Sequence, residues 1–227
     1  MIQEIEIPRE VPVMTLSSAV LFPQAVMPLY IFEPRYRTML REVLEADRIF
    51  AVAALDEERE KENGGEPAYP VAGIGIIRAC KKNDDGTANL IVQGLARVEL
   101  EAIVSEEPYR RARIHQLASH SGVKQSAVMD RIQDTLIALV QTQIRLGAPI
   151  PKEVIQFLSQ MQDAESVLDL SIYTLCPSTR LKQELLETVD IPARFLRFER
   201  FLRSEIQKLL IQNKLKGELG DDAIGNN

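Results

Sequence analysis

The stretch VLFPQAVMPLYIFEPRYRTML, residues 20–40, joins an apolar run broken by Pro23 and Pro28 to a segment with helical spacing. Pro34 fits a first helical turn, where its missing N–H costs nothing. Glu33 stands at the positive end of that turn, and Met39, Leu40, Val43 and Leu44 recur at the spacing of one helix face. The stretch holds neither a nucleophile paired with a base nor a cluster of metal ligands.

Around this helix the first half of the chain reads as strands. An alternating segment surrounds Val11 and Val13, Ile49–Leu55 is a compact apolar run, and GIGIIRAC ends a third run at Cys80. Lys81–Gly86 is a polar turn between apolar runs, which predicts a hairpin. Its return strand carries Leu90 and Val92, then Gly94, then Val98, Leu100, Ala102 and Val104 on a period of two. Gly94 predicts a bulge or sharp bend, and Gly73 and Gly75 a strand that another backbone approaches closely. Short, bent, glycine-punctuated strands favour a small barrel. The charged, Gly/Pro-rich segment Glu57–Pro70 reads as a mobile loop.

The second half reads as helices. Val128, Ile132, Leu136, Leu139 and Val140 line a helix from about Lys124 to Leu146, ended by Gly147–Pro151. Further helices are predicted with Val154, Ile155, Leu158 and Met161 inward, over Ala164–Leu175, and over Ser178–Thr188. Asp190 reads as the cap of the last helix, with Pro192 in its opening turn. The expected organisation is α+β: a β-domain over 1–117 with an inserted helix, a helical bundle over 118–213, and a disordered tail over 214–227.

The formal net charge of −6 opposes nonspecific nucleic-acid affinity. A local exception is the last helix, where Arg194, Arg197, Arg200, Arg203, Lys208, Lys214 and Lys216 face only Glu199 and Glu205. The start MIQEIEIPRE has no basic flank or long apolar segment, and no run nears the roughly eighteen apolar residues that cross a bilayer, so a cytoplasmic protein without membrane contact is expected. Cys80 and Cys176 form no CxxC pair and read as thiols. His115 and His120 have no partners at metal-ligand spacing, no GxxxxGK[ST] loop exists, and the serines occupy turn or capping contexts without a GxSxG elbow. No catalytic, cofactor or metal residue is expected.

The residues of the opening stretch nevertheless carry a resemblance. Pro12 and Leu16, then Val20-Leu21-Phe22-Pro23, then Pro28, Leu29, Ile31, Phe32, Glu33, Arg35 and Tyr36 are similar to the start of the amino-terminal, substrate-recognising domain of the ATP-dependent Lon protease. Gln24 stands where that family usually has glycine. Gly73, the segment Val92–Val98, Pro108-Tyr109-Arg110-Arg111-Ala112, and Leu181–Glu187 with Asp190 and Arg194 extend the resemblance over about residues 10–206. It implies a PUA-like bent β-barrel followed by a helical bundle. Phe22, Leu29 and Phe32 are then expected in the barrel core, Pro23 and Pro28 set backbone direction between strands, and Arg35 or Tyr36 ties the helix back. The dense stretch serves the fold, not chemistry.

The chain carries neither the ATPase nor the peptidase module of that protease, so it resembles a stand-alone Lon N-domain. The expected function is noncatalytic binding of polypeptide substrates, or of a protease or chaperone partner. An exposed apolar groove or patch should serve it, with Phe195, Arg197 and Phe201 as candidate protein contacts. The alternative is nucleic-acid (RNA) binding through the β-domain, which needs Arg78, Lys81, Arg110 and Arg111 to converge on one surface.

Overall fold

The computed structural model describes residues 5–121, 129 and 131–222. The elements are β1 (Glu10–Leu16), β2 (Val26–Ile31), α1 (Pro34–Glu45), β3 (Ile49–Ala54), α2 (Glu57–Asn63), β4 (Val71–Lys82), β5 (Ala88–Ser105) and β6 (Arg111–Leu117). After them come α3 (Ile132–Arg145), α4 (Glu153–Gln160), α5 (Ala164–Leu175), α6 (Thr179–Glu187) and α7 (Ile191–Asp222). The chain is α+β, an N-terminal sheet followed by a C-terminal helical bundle. The expected helical start at Lys124–Val128 and the tail residues 223–227 lie outside the described residues, and α7 is helical through Asp222.

The PUA-like bent barrel is corrected. The strands form one six-stranded sheet in the order β2-β5-β4-β3-β1-β6, with β2 as a terminal strand and the far half of β5 also pairing with β6. Among the described strands only β1 and β3 pair in parallel. The barrel was expected from glycine-punctuated bending, but two of those glycines have another use. A Cβ on Gly73 would sit 1.9 Å from the Leu21 carbonyl oxygen, and one on Gly94 would sit 2.0 Å from that of Phe22. The Val20–Pro23 run therefore lies directly on β4 and β5, and glycine is what lets it approach. The register shifts beside Gly75 and Gly94, so the bulge expected at Gly94 is present.

One face of the sheet packs a tight cluster that includes Val11, Val13, Ile49, Ala51, Ala53, Ile74, Val98 and Ala112. Every residue of β3 is buried, as befits a central strand covered on both faces. Tyr36 fixes α1 to β1: its hydroxyl accepts from the Thr15 N–H at 3.1 Å and donates to the Thr15 carbonyl at 3.2 Å. Arg35 instead clamps Glu66, with Nη1–Oε2 at 2.6 Å and Nη2–Oε1 at 2.8 Å.

Glu57–Pro70 is not all loop. Asp56 caps α2 by accepting from the Arg59 N–H, acidic residues fill its first turn and Lys61 its last, which suits the helix dipole. Leu55 and Ala68 then pair as an isolated bridge.

The described residues divide into two compact units, one within Met1–Ser119 and Ile172–Val189, the other within His120–Ser171 and Asp190–Asn227. Helix α6 thus belongs with the sheet: Gln183 donates to the Val71 carbonyl at 2.9 Å, and Arg97 donates to the Leu186 carbonyl at 3.1 Å. In the second unit Asp190 caps α7 by accepting from the Ala193 N–H at 2.7 Å. Its interior contains the ion pair of Arg194 with Asp169, both fully buried, and Glu165 lies 3.1 Å from the same guanidinium.

Candidate functional site

Strand β2 alternates. Met27 and Ile31 are buried, while Val26, Tyr30 and Phe32 are 53%, 54% and 59% exposed. Phe32, expected in the core with Phe22, is therefore corrected to a surface residue. Phe22 is fully buried, and Leu29 is half-buried. Pro28 lies within β2 and not between strands, which a terminal strand tolerates.

Opposed residues of paired strands share a face. Val26 faces Gln93, Pro28 faces Ile91 and Tyr30 faces Asn89 on β5. Ile91 in turn faces Ala79, and Asn89 faces Lys81, on β4. The result is an exposed apolar strip of Val26, Pro28, Tyr30, Phe32 and Ile91, bordered by Arg78 and Lys81. The Tyr30 and Phe32 rings stack with centroids 6.0 Å apart. Arg78 donates to the Gln93 side chain at 2.7 Å, and Gln93 donates to Gln24 at 3.2 Å, so the polar border is ordered. Gln24 itself sits at φ 63°, which explains why glycine suits this turn.

The free edge of β2 is poorly suited to accepting another strand. Pro28 has no N–H to donate, and the Val26 carbonyl already accepts from the Tyr173 hydroxyl at 3.2 Å. What the strip offers is side chains, large and apolar, on one face of the sheet.

The residues singled out from sequence are distributed differently. Phe195 is 4% exposed and belongs to the interior of its unit, Phe201 is half-buried and stacks on Phe198 at 6.0 Å, and Arg197 is exposed. Among the described side chains of α7, the exposed large apolar residues are Leu196, Leu210, Ile211 and Leu215. Arg78 and Lys81 border the strip, but Arg110 is engaged elsewhere: it donates to Thr15 Oγ1 at 3.0 Å, to the Glu66 carbonyl at 2.8 Å and to Glu106 at 3.0 Å. Arg111 faces Ser105 at the far end of β5, whereas Lys81 faces Asn89 at its start. The four basic residues named for nucleic acid do not meet on one surface. Tyr30 and Phe32 were missed as surface residues; the period-two series Val26, Pro28, Tyr30, Phe32 was the available signal.

Among the described residues no group of three or more His, Cys, Asp or Glu side chains could hold a metal ion. No described helix is long and apolar enough to cross a membrane.

The model of the family described as the ATP-dependent protease La (LON) substrate-binding domain matches residues 10–204. The chain belongs to this family. It is 26% identical to a Lon protease of Desulfosudis oleivorans over 96% of this chain and 26% of that protein. With a Lon protease of Heliobacterium modesticaldum it shares 27% identity over 91% of this chain and 25% of that protein. The chain thus spans about a quarter of the length of these relatives. The fold is similar to the N-terminal domain of a Mycobacterium avium complex Lon protease, with a TM-score of 0.64, 18% identity, and coverage of 87% of this chain and 98% of that one. It is also similar to a Lon N-terminal domain protein from Xanthomonas campestris, at TM-score 0.57, 16% identity, and 83% and 96% coverage. Residues 10–204 of this Lon-type chain thus correspond to the family's substrate-binding domain.

Proposed function

We propose that this Lon-type domain binds polypeptides, preferentially unfolded segments rich in aromatic and aliphatic side chains, on the strip of Val26, Tyr30, Phe32 and Ile91. The carrying observation is that two large aromatic rings stack on the surface of a sheet, more than half exposed, beside further apolar residues. Contiguous exposed apolar surface of this kind marks interaction sites. Because the β2 edge is blunted, recognition is by side-chain burial and not by strand addition. That mode is tolerant of sequence, which suits a module receiving many substrates on behalf of a protease or chaperone. Neither Cys80 nor Cys176 is in a disulfide, which fits a cytoplasmic setting.

The test is equilibrium binding of a fluorescently labelled, permanently unfolded polypeptide to the chain and to its Tyr30→Ser/Phe32→Ser variant. Burying one such ring is worth about 1.5–3 kcal/mol. The variant should therefore bind at least about tenfold more weakly. Equal affinity for the two proteins rejects the reading.

A further inference from the structure

A second feature lies away from the strip, where α1 meets the turn of the β4–β5 hairpin. A cleft of about 430 Å³ opens there, within the range of small-ligand sites. Arg37, Thr38 and Arg41 of α1 form one wall and Lys82 another, over an apolar floor that includes Leu40 and Ala88. Arg37 and Arg41 are one helical turn apart and so project from the same side of α1. Among the described residues none of the three cations forms an ion pair, and Arg41 bonds only the Thr38 hydroxyl, at 3.2 Å.

The hairpin is shaped around Arg37. Gly86 holds φ at 80°, and a Cβ there would lie 1.8 Å from Arg37 Nη2. The guanidinium thus reaches across to the hairpin turn. Asp85, on the hairpin turn, is committed: its carboxylate accepts from the Thr87 hydroxyl at 2.7 Å and from the Thr87 N–H at 3.0 Å. Those two bonds, and less strongly Arg37, hold its pKa below the ordinary carboxylate value.

Three cations lining one cleft repel one another, and the carboxylate that acts on Arg37, Asp85, is already engaged by Thr87. A bound anion relieves this. A carboxylate would supply one charge, whereas a phosphoryl group supplies nearly two and several acceptor oxygens for two guanidinium forks, an ammonium and a hydroxyl.

We propose that the cleft between α1 and the β4–β5 hairpin is a binding site for a phosphoryl group, built from Arg37, Arg41, Lys82 and Thr38. The group arrives on a small diphosphate or on a phosphorylated side chain of a polypeptide.

The test is calorimetric titration of the whole chain, at low ionic strength, with inorganic pyrophosphate and separately with a short phosphoserine peptide. The same titrations are run on Arg37→Ala/Lys82→Ala and on Lys61→Ala, which removes a cation from α2. Both substituted side chains of the double variant are at least partly exposed and form no ion pair, and an unchanged melting temperature checks its fold. Saturable binding of either probe, at least tenfold weaker in the double variant and unchanged in Lys61→Ala, is expected. Tighter pyrophosphate binding identifies a free small molecule, and tighter phosphopeptide binding identifies a modified polypeptide. Absence of saturable binding by both probes, or equal binding by all three proteins, overturns the proposal.

Discussion

The carbonyl oxygen of Leu21 lies 1.9 Å from where a Cβ of Gly73 would be. The run that opens the family's sequence pattern and a glycine some fifty residues later are thus two halves of one contact. A methyl group at Gly73 meets backbone, which cannot rotate away as a side chain can. Gly73→Ala should lower unfolding free energy by about 1–3 kcal/mol, the usual cost of overpacking, or more. Urea denaturation followed by far-UV circular dichroism measures it, and an unchanged midpoint would show that the run can lift off the sheet.

Tyr36 offers a cleaner subtraction. Tyr36→Phe keeps the ring but deprives the buried Thr15 N–H of its partner. Leaving a buried donor unsatisfied costs about 1–3 kcal/mol. The same denaturation experiment should register that loss, with little change in the slope against urea.

The Arg35–Glu66 clamp has a pH signature. The hydrogen bond from Arg35 holds the Glu66 carboxyl below its ordinary value, and partial burial opposes this. A carboxyl depressed in the folded state stabilises the fold above its unfolded pKa and loses that contribution as pH falls through the folded pKa. The clamp should therefore survive acidification through the ordinary glutamate range, near about 4.3, and release below it. A carboxyl-carbon NMR titration of Glu66 reads this directly; Arg35→Gln should return the midpoint toward the ordinary value.

In the helical unit, Arg194 and Asp169 are fully buried. Removing one member leaves an under-compensated charge in the interior. Asp169→Ala should cost about 3–5 kcal/mol, and Asp169→Leu with Arg194→Leu should recover much of it. Thermal unfolding of the two variants beside the unsubstituted chain separates the need for the pair from the need for its volume.

Local pattern made the helices and the hairpin legible. Pro34 and Glu33 mark the start of α1, Asp190 and Pro192 that of α7, and the polar run Lys81–Gly86 the β4–β5 hairpin, whose turn in the structure lies between Lys82 and Ala88. The close approach at Gly73 was readable because only glycine has room for a crossing backbone. Strand order was not: β1 skips β2 to pair in parallel with β3, and β5 pairs with β2 at its start, with β4 through Glu99 and with β6 from Arg97 onward. Those choices are nonlocal, and no short window encodes them. Helix α2 was hidden because its stability lies in caps and charge placement without one buried residue.

The site was partly hidden for a related reason. Both faces of β2 are apolar, so alternation separates Tyr30 and Phe32 from Met27 and Ile31 but does not say which pair meets water. On α7 a single position separates buried Phe195 from exposed Leu196. A rotation of about 100° per residue decides the matter, and an aromatic-rich, arginine-rich helix gives little warning of it.

The most direct test of the polypeptide-binding account is photo-crosslinking. A photoreactive amino acid is placed at Phe32, at Phe157 of α4 or at Leu196 of α7, all three exposed apolar positions. Each protein is irradiated with the labelled unfolded polypeptide. Capture at position 32, suppressed by excess unlabelled polypeptide and much weaker at 157 and 196, is the predicted result. Equal capture at all three, or capture confined to the helical unit, would contradict it.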